Sequence, residues 1–201
     1  MDKSILRDIT YGMYIVSTVD SACIINTFTQ ITSENPIITI SLNKNNYTNT
    51  KIKENKNFIV SILSEDINPN IISTFGFKSS TDIDKFKEFN YKEIDNIKVI
   101  EEDTIGYIKC EVIDIIDCGT HDIFVAKVID TKKTNNNIPM TYKYYHEVIK
   151  GYAPKNAPTY IEEEKEEDTY ICDICGYRHK GNIDENFKCP ICGVDYTHFK
   201  K

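Results

Sequence analysis

Tryptophan is absent from the 201 residues, and glycine and proline are sparse, at eight and six. Without tryptophan, any aromatic core must rest on tyrosine and phenylalanine. The few glycines form neither G-x-x-x-x-G-K nor G-x-G-x-x-G, which excludes phosphate binding of the P-loop or Rossmann type. No stretch approaches the roughly 20 apolar residues that cross a bilayer as a helix. The first ten residues carry charges and no apolar core of secretory-signal length. No basic stripe interrupts a chain of net charge −7, so nucleic acid is excluded as a partner. No repeat of solenoid length is present. These absences lead to the expectation of a soluble, cytoplasmic protein in which Cys23, Cys110 and Cys118 are reduced core thiols.

The other four cysteines are grouped. Cys172-Asp173-Ile174-Cys175-Gly176 is followed, after thirteen residues, by Cys189-Pro190-Ile191-Cys192-Gly193. Two such hooks bring four thiolates to one point, which suits tetrahedral coordination of one metal, and the glycine after each hook allows the sharp turn. A pair of disulfides is the alternative, disfavoured by the expected reducing compartment. Spacing alone leaves zinc and iron both open, since both accept four thiolates in a tetrahedron.

The rest of the chain is long enough for an ordinary domain with its own core. Residues 11–19, 22–31, 37–42 and 58–63 read as strands. Residues 106–116 and 121–129 form the clearest pair, hinged at residues 117–120, and residues 99–100 add a short strand. Helices are expected after residue 48, with Thr48 or Asn49 as cap, and after Asp66, ending at Gly76. A helical stretch is also expected over residues 142–150. The fold class is therefore mainly β with a few peripheral helices. Alternating Ala-Pro pairs at 153–154 and 157–158, then one lysine against six acids over residues 161–168, read as a linker. The expected organisation is a first domain over 1–152, an acidic, proline-containing linker over 153–169 and a small metal module over 170–201. In the first domain, residues 43–48 offer a cation, amides and hydroxyls at a helix start, a combination suited to phosphate.

Two resemblances sharpen this reading. Tyr170, the two hooks, Tyr177 and Phe199 resemble a rubredoxin, with the shortened loop of the version fused to rubrerythrins. That resemblance favours iron over zinc and places the module's aromatic core on Tyr170, Tyr177, Phe187 and Phe199. The segment Asn26-Thr27-Phe28-Thr29-Gln30-Ile31-Thr32-Ser33 resembles the flavin-binding segment of the flavin reductase family, the FMN-binding split barrels. Ser41-Leu42-Asn43-Lys44-Asn45-Asn46-Tyr47-Thr48 is similar to that family's next segment, which cradles ribityl and phosphate. Residues 75–80 with Asp84-Lys85-Phe86, and then 119–125, resemble two further loops in the expected order.

What these resemblances imply is a split β-barrel binding FMN through Asn26, Thr27, Phe28, Thr29, Gln30, Ser41, Leu42, Asn43, Lys44, Tyr47, Thr48 and Lys85. His121 takes the catalytic position, with Thr120 where the family usually has an aspartate. Asp122 lies on the opposite side of a strand and is a poor substitute. Cys172, Cys175, Cys189 and Cys192 would hold iron. The pairing is similar to high-molecular-weight rubredoxins. It implies a homodimeric oxidoreductase that takes electrons from NADH or NADPH through FMN to its own iron. From there they pass to a partner such as a flavodiiron oxygen or nitric oxide reductase. Two other readings stay open: a flavin or ferric reductase with an incidental metal knob, and a non-catalytic barrel with a structural zinc ribbon.

Overall fold

The computed structural model describes residues 4–151, 153, 157, 159 and 168–201. Its main sheet has seven antiparallel strands: β1 (Tyr14–Thr18), β2 (Ser21–Ile25), β3 (Phe28–Gln30), β4 (Ile37–Asn43), β5 (Asn57–Leu63), and two more that form a long hairpin. Between β5 and that hairpin lies a separate ribbon of β6 (Tyr91–Ile94) and β7 (Ile97–Ile100). The long hairpin is β8 (Thr104–Cys118) and β9 (His121–Lys133), turning at Gly119-Thr120. The strand order is β2-β1-β5-β8-β9-β4-β3.

This order shows that the sheet curls. Laid flat, edge strands β2 and β3 would be separated by six gaps of about 4.8 Å, or roughly 29 Å. Yet only Asn26 and Thr27 join them, and three peptide steps reach at most about 11 Å. The edges must approach each other, as in a barrel opened along one seam. The expected single strand over 22–31 is accordingly two strands, broken where the chain passes between the edges.

Strand alternation then sorts the apolar residues. Val16, Cys23, Ile25, Ile38, Ile40, Phe58, Val60 and Phe124 gather inside the curl. Ile15, Ala22 and Leu63 point outward into a second core, covered by α2 (Pro69–Phe77) and α3 (Tyr142–Glu147). Burying each large side chain contributes about 1.5–3 kcal/mol, so both faces of β1 and β2 are committed.

Two helix starts differ from expectation. α1 (Tyr47–Asn55) is capped by Asn46, whose side chain accepts the Thr48 N–H, so Thr48 lies inside the helix. α2 is capped by Asn68 and not Asp66, because Pro69 has no N–H to satisfy and its fixed φ suits the first helical position. Gly76 lies within the last turn of α2, which ends at Phe77.

Residues 168–201 form their own small sheet, β11 (Arg178–Lys180), β10 (Thr169–Cys172), β12 (Phe199–Lys200), in that order. Most of the expected linker, including all but the last residue of its acidic run, lies outside the described residues.

Gly106 gives a stability prediction. A Cβ there would meet the Lys132 backbone oxygen at 2.2 Å, and backbone inside a ladder cannot move aside. Gly106→Ala is expected to cost at least the 1–3 kcal/mol typical of overpacking, read as a lower denaturant midpoint.

Candidate functional site

β4 and β9 pair in a register that sets Asn43 opposite His121, and the Lys44 N–H donates to Thr120 O at 3.0 Å. The Asn43–Asn46 loop is thereby fixed beside the β8–β9 turn. Asparagine side chains hold the loop itself: Asn43 Oδ1 accepts the Asn45 N–H, and Asn46 Oδ1 accepts the Thr48 N–H, both at 2.9 Å. The start of α1, with the partial positive charge of a helix N-terminus, lines a cavity of about 310 Å³ through Tyr47 and Thr48. Asn26, Ser41 and Leu42 line one wall. Phe75, Phe77 and Ser79 from the end of α2 and the loop after it line another.

That loop is latched to the sheet's edge. Ser80 Oγ lies 3.3 Å from both N and O of Ala22, and Lys85 Nζ donates to Ala22 O at 2.7 Å and Phe75 O at 3.2 Å. An open strand edge is thus covered by side chains instead of another strand. Lys85 is 4 % exposed, and burial pushes its ammonium down to about 8. Among the described residues no ion pair involves it. Among the described residues the cavity lining carries two lysines, Lys78 and Lys85, and no acid, in a chain of net charge −7. A buried cation with only carbonyl partners is costly unless an anion joins it.

A second feature of the cavity also calls for a ligand. His121 lines it, with Nδ1 2.9 Å from Thr120 Oγ1. Its Nε2 is buried and has no hydrogen-bond partner among the described residues. Thr120, standing where a carboxylate was expected, orients the ring with its hydroxyl. Asp122 does not substitute: it is buried on the other side, 2.9 Å from Asn49 Nδ2 and 2.6 Å from Lys53 Nζ. Burial pushes its carboxyl up, but Lys53 and Asn49 outweigh this and hold it below the usual range.

Of the residues expected to bind flavin, Asn26, Ser41, Leu42, Asn43, Tyr47, Thr48 and Lys85 line this cavity together with His121. Thr27, Phe28, Thr29, Gln30 and Lys44 are not among the lining. Thr27 Oγ1 donates to Ser41 O, Phe28 packs on Tyr14, and Thr29 and Gln30 are exposed on β3. Lys44 is paired with Asp117 at 2.6 Å, which holds its ammonium above the usual range. Tyr142, Tyr145 and Ile174 were not anticipated in the site. The i, i+3 spacing of the two tyrosines was a usable signal that they share a helix face. Nothing local marks Ile174.

The four-cysteine cluster is a second site. All four Sγ atoms lie within 4.8 Å of one another, and Cys172, Cys175 and Cys189 are buried. The hooks are near copies. Gly176 N–H donates to Cys172 O and Gly193 N–H to Cys189 O, each at 2.9 Å. Both glycines have φ near +75°, at 77° and 73°, so a side chain at either would be strained. No disulfide joins any cysteine. The sulfurs of Cys175 and Cys189 stand 3.4 Å apart and those of Cys172 and Cys192 3.6 Å. Metal–sulfur bonds of about 2.3 Å in a tetrahedron put sulfurs about 3.8 Å apart, so the cluster fits a metal. Hydrogen bonds from Cys175 and Cys192, then backbone N–H groups of the second hook, hold the Cys189 thiol down to about 2. Sulfurs this close share protons or a cation.

Residues 6–152 match the family described as flavin reductase like domain. The chain is 32% identical to the high molecular weight rubredoxin of Moorella thermoacetica over 228 aligned positions that cover all of both proteins. It is also 32% identical to a ferric-chelate reductase (NAD(P)H) of Archaeoglobus fulgidus, over 82% of this chain and all of that one. Among solved structures, the flavin reductase HpaC complexed with NADP+ superposes with a TM-score of 0.60 at 29% identity, covering 70% of this chain and 90% of that one.

Proposed function

The chain belongs to the flavin reductase-like family, and from that premise we propose that it oxidises NAD(P)H through FMN in the cavity. The electrons then pass to iron held by Cys172, Cys175, Cys189 and Cys192, and on to a partner protein. The carrying observation is a cavity whose described lining holds two lysines and no acid, in an acidic chain: such a lining selects an anionic ligand.

Bound flavin supplies the acceptance of a hydride and the release of its electrons singly, which a one-electron four-sulfur iron requires. The chain's own groups do the rest. Lys85 and the partial positive charge at the start of α1 would hold the phosphate or another negative part of the cofactor. Asn26 and Ser41 offer polar contacts, and His121 Nε2 offers the one unused ring nitrogen, oriented by Thr120. Tyr142 and Tyr145 form an aromatic wall that excludes water. Backbone N–H groups aimed at the cysteine sulfurs offset part of the thiolate charge.

The long hairpin carries Ile113, Ile116 and Ile129 exposed, which supports a homodimer built on that face. Among the described residues no helix is long and apolar enough to cross a membrane. This is consistent with a cytoplasmic electron carrier, whose acceptor we take to be of the flavodiiron type.

The test is an absorption spectrum with metal analysis of protein from its native host. FMN and iron at one per chain are expected; zinc alone would remove the electron path, and a colourless protein would remove the flavin. The match to a ferric-chelate reductase favours one competing reading, in which the barrel reduces an external acceptor directly. That reading predicts an acceptor reduced at the same rate whether or not the cysteine site is loaded.

A further inference from the structure

The metal module is not remote from the cavity. Ile174, inside the first hook and next to Cys175, is one of the cavity's lining residues. Phe77 at the end of α2 and Ile149 just after α3 pack against the cysteine cluster. Both also pack against the outer core of the barrel, so apolar contact runs continuously from barrel to module. Nothing in the hook requires Ile174 to be apolar; its neighbour in the same hook is Asp173.

The chain leading to the module is tied to the same place. Asn26 Nδ2 donates to Thr159 Oγ1 at 3.1 Å, and the Thr159 hydroxyl donates to Tyr142 Oη at 2.7 Å. Asn26 and Tyr142 line the cavity, and so does Ala157. Nine peptide steps separate Thr159 from Asp168, a reach of at most about 30 Å. A module leashed at the cavity rim is therefore held at high local concentration over that rim.

We propose that the module docks on the flavin cavity of its own chain. Ile174 is the residue presented to the cavity, Phe77 and Ile149 are the receiving surface, and Thr159 is the tie. The inference rests on reading that cavity as the flavin site, although the docking can be measured without flavin. Few side chains make the contact, and Ile174 keeps 38 % of its surface exposed. Such a contact is weak by itself and persists because it is intramolecular. It releases readily, which leaves the module free to meet an outside acceptor.

The experiment compares full-length, isotope-labelled, flavin-free protein loaded with iron(III) or with zinc. Paramagnetic iron broadens amide signals near it, whereas zinc does not. Iron is expected to erase the signals of residues 76–80 and 149–151 that zinc preserves. Ile149→Asp and Thr159→Val should each bring them back, and the second variant carries the test if the first fails to fold. A labelled, metal-free Cys189→Ser chain mixed with unlabelled iron-loaded chains should keep its signals. If it loses them, the module serves the neighbouring subunit and the proposal is overturned. Survival of the 76–80 signals in iron-loaded wild type, while the module's own signals vanish, overturns docking altogether. Flavin content, measured separately by absorbance, separates failure of the cofactor reading from failure of docking.

Discussion

Changing Cys189 to serine is expected to abolish electron delivery to an external acceptor while leaving flavin content and flavin reduction by NAD(P)H as in the wild type. Cys189 supplies one of four sulfurs that converge within 4.8 Å of one another, and an oxygen in its place leaves the site one soft thiolate short of the four that select iron or zinc. The damage stays local because Cys189 lies in the second hook, whereas the contact with the cavity is made by Ile174 of the first. Rapid mixing with NAD(P)H, following flavin and iron absorption separately, reads both halves. In the wild type, iron should bleach after flavin, at a rate independent of protein concentration because the two sites share a chain. Acceptor reduction that persists in Cys189→Ser would mean that electrons leave from the barrel directly, as the ferric-reductase reading has it.

The second large effect is expected at Lys85. Lys85→Met should weaken FMN binding by about 10–150-fold, the equivalent of one charged hydrogen bond of about 1.5–3 kcal/mol. Its pH signature identifies the cause. In the flavin-free protein burial holds the ammonium down to about 8. Binding an anion requires the protonated form, so wild-type affinity should be flat below pH 8 and decline above it, by up to tenfold per pH unit. In Lys85→Met that decline should vanish. Stability of the flavin-free protein should move the other way. The folded pKa is depressed below the ordinary 10.5, so the unfolded chain binds more protons between about pH 8 and 10.5. The fold should gain stability as pH rises through that window. Affinity measured by flavin fluorescence across pH 7–10 decides the matter. A Lys85→Met protein that binds FMN as tightly as wild type would shift the anion's partner elsewhere. Lys44, already neutralised by Asp117, is a weaker candidate.

Why one lysine and not the other could not be read along the chain. Lys44 sits in the loop whose composition suits phosphate, and its partner Asp117 is brought to it only by pairing of β4 with β9. Lys85 is 63 residues from Ala22, the strand residue whose carbonyl it caps, and no local pattern links the two. Asp122 looked too poorly placed to help His121, and alternation along the strand was enough to say so. What occupies Asp122 instead, Asn49 and Lys53 from the facing helix, is a tertiary matter.

The four thiolates, by contrast, were determined by sequence alone. Each hook is a local turn closed by bonds within six residues, and the capacity to bind one metal follows from ligand type and count. Mainly β character and the β8–β9 hairpin were equally local, since alternation and a short turn set them. Helix starts were legible only to within a few residues, because Asn46 competed with Thr48, and Pro69 made Asn68 the cap in place of Asp66. Curling of the sheet, burial of Lys85 beside a cavity whose described lining holds no acid, and the approach of Ile174 to that cavity belong to the tertiary structure. They depend on which distant strands become neighbours, and backbone hydrogen bonding makes that choice only once the whole sheet has assembled.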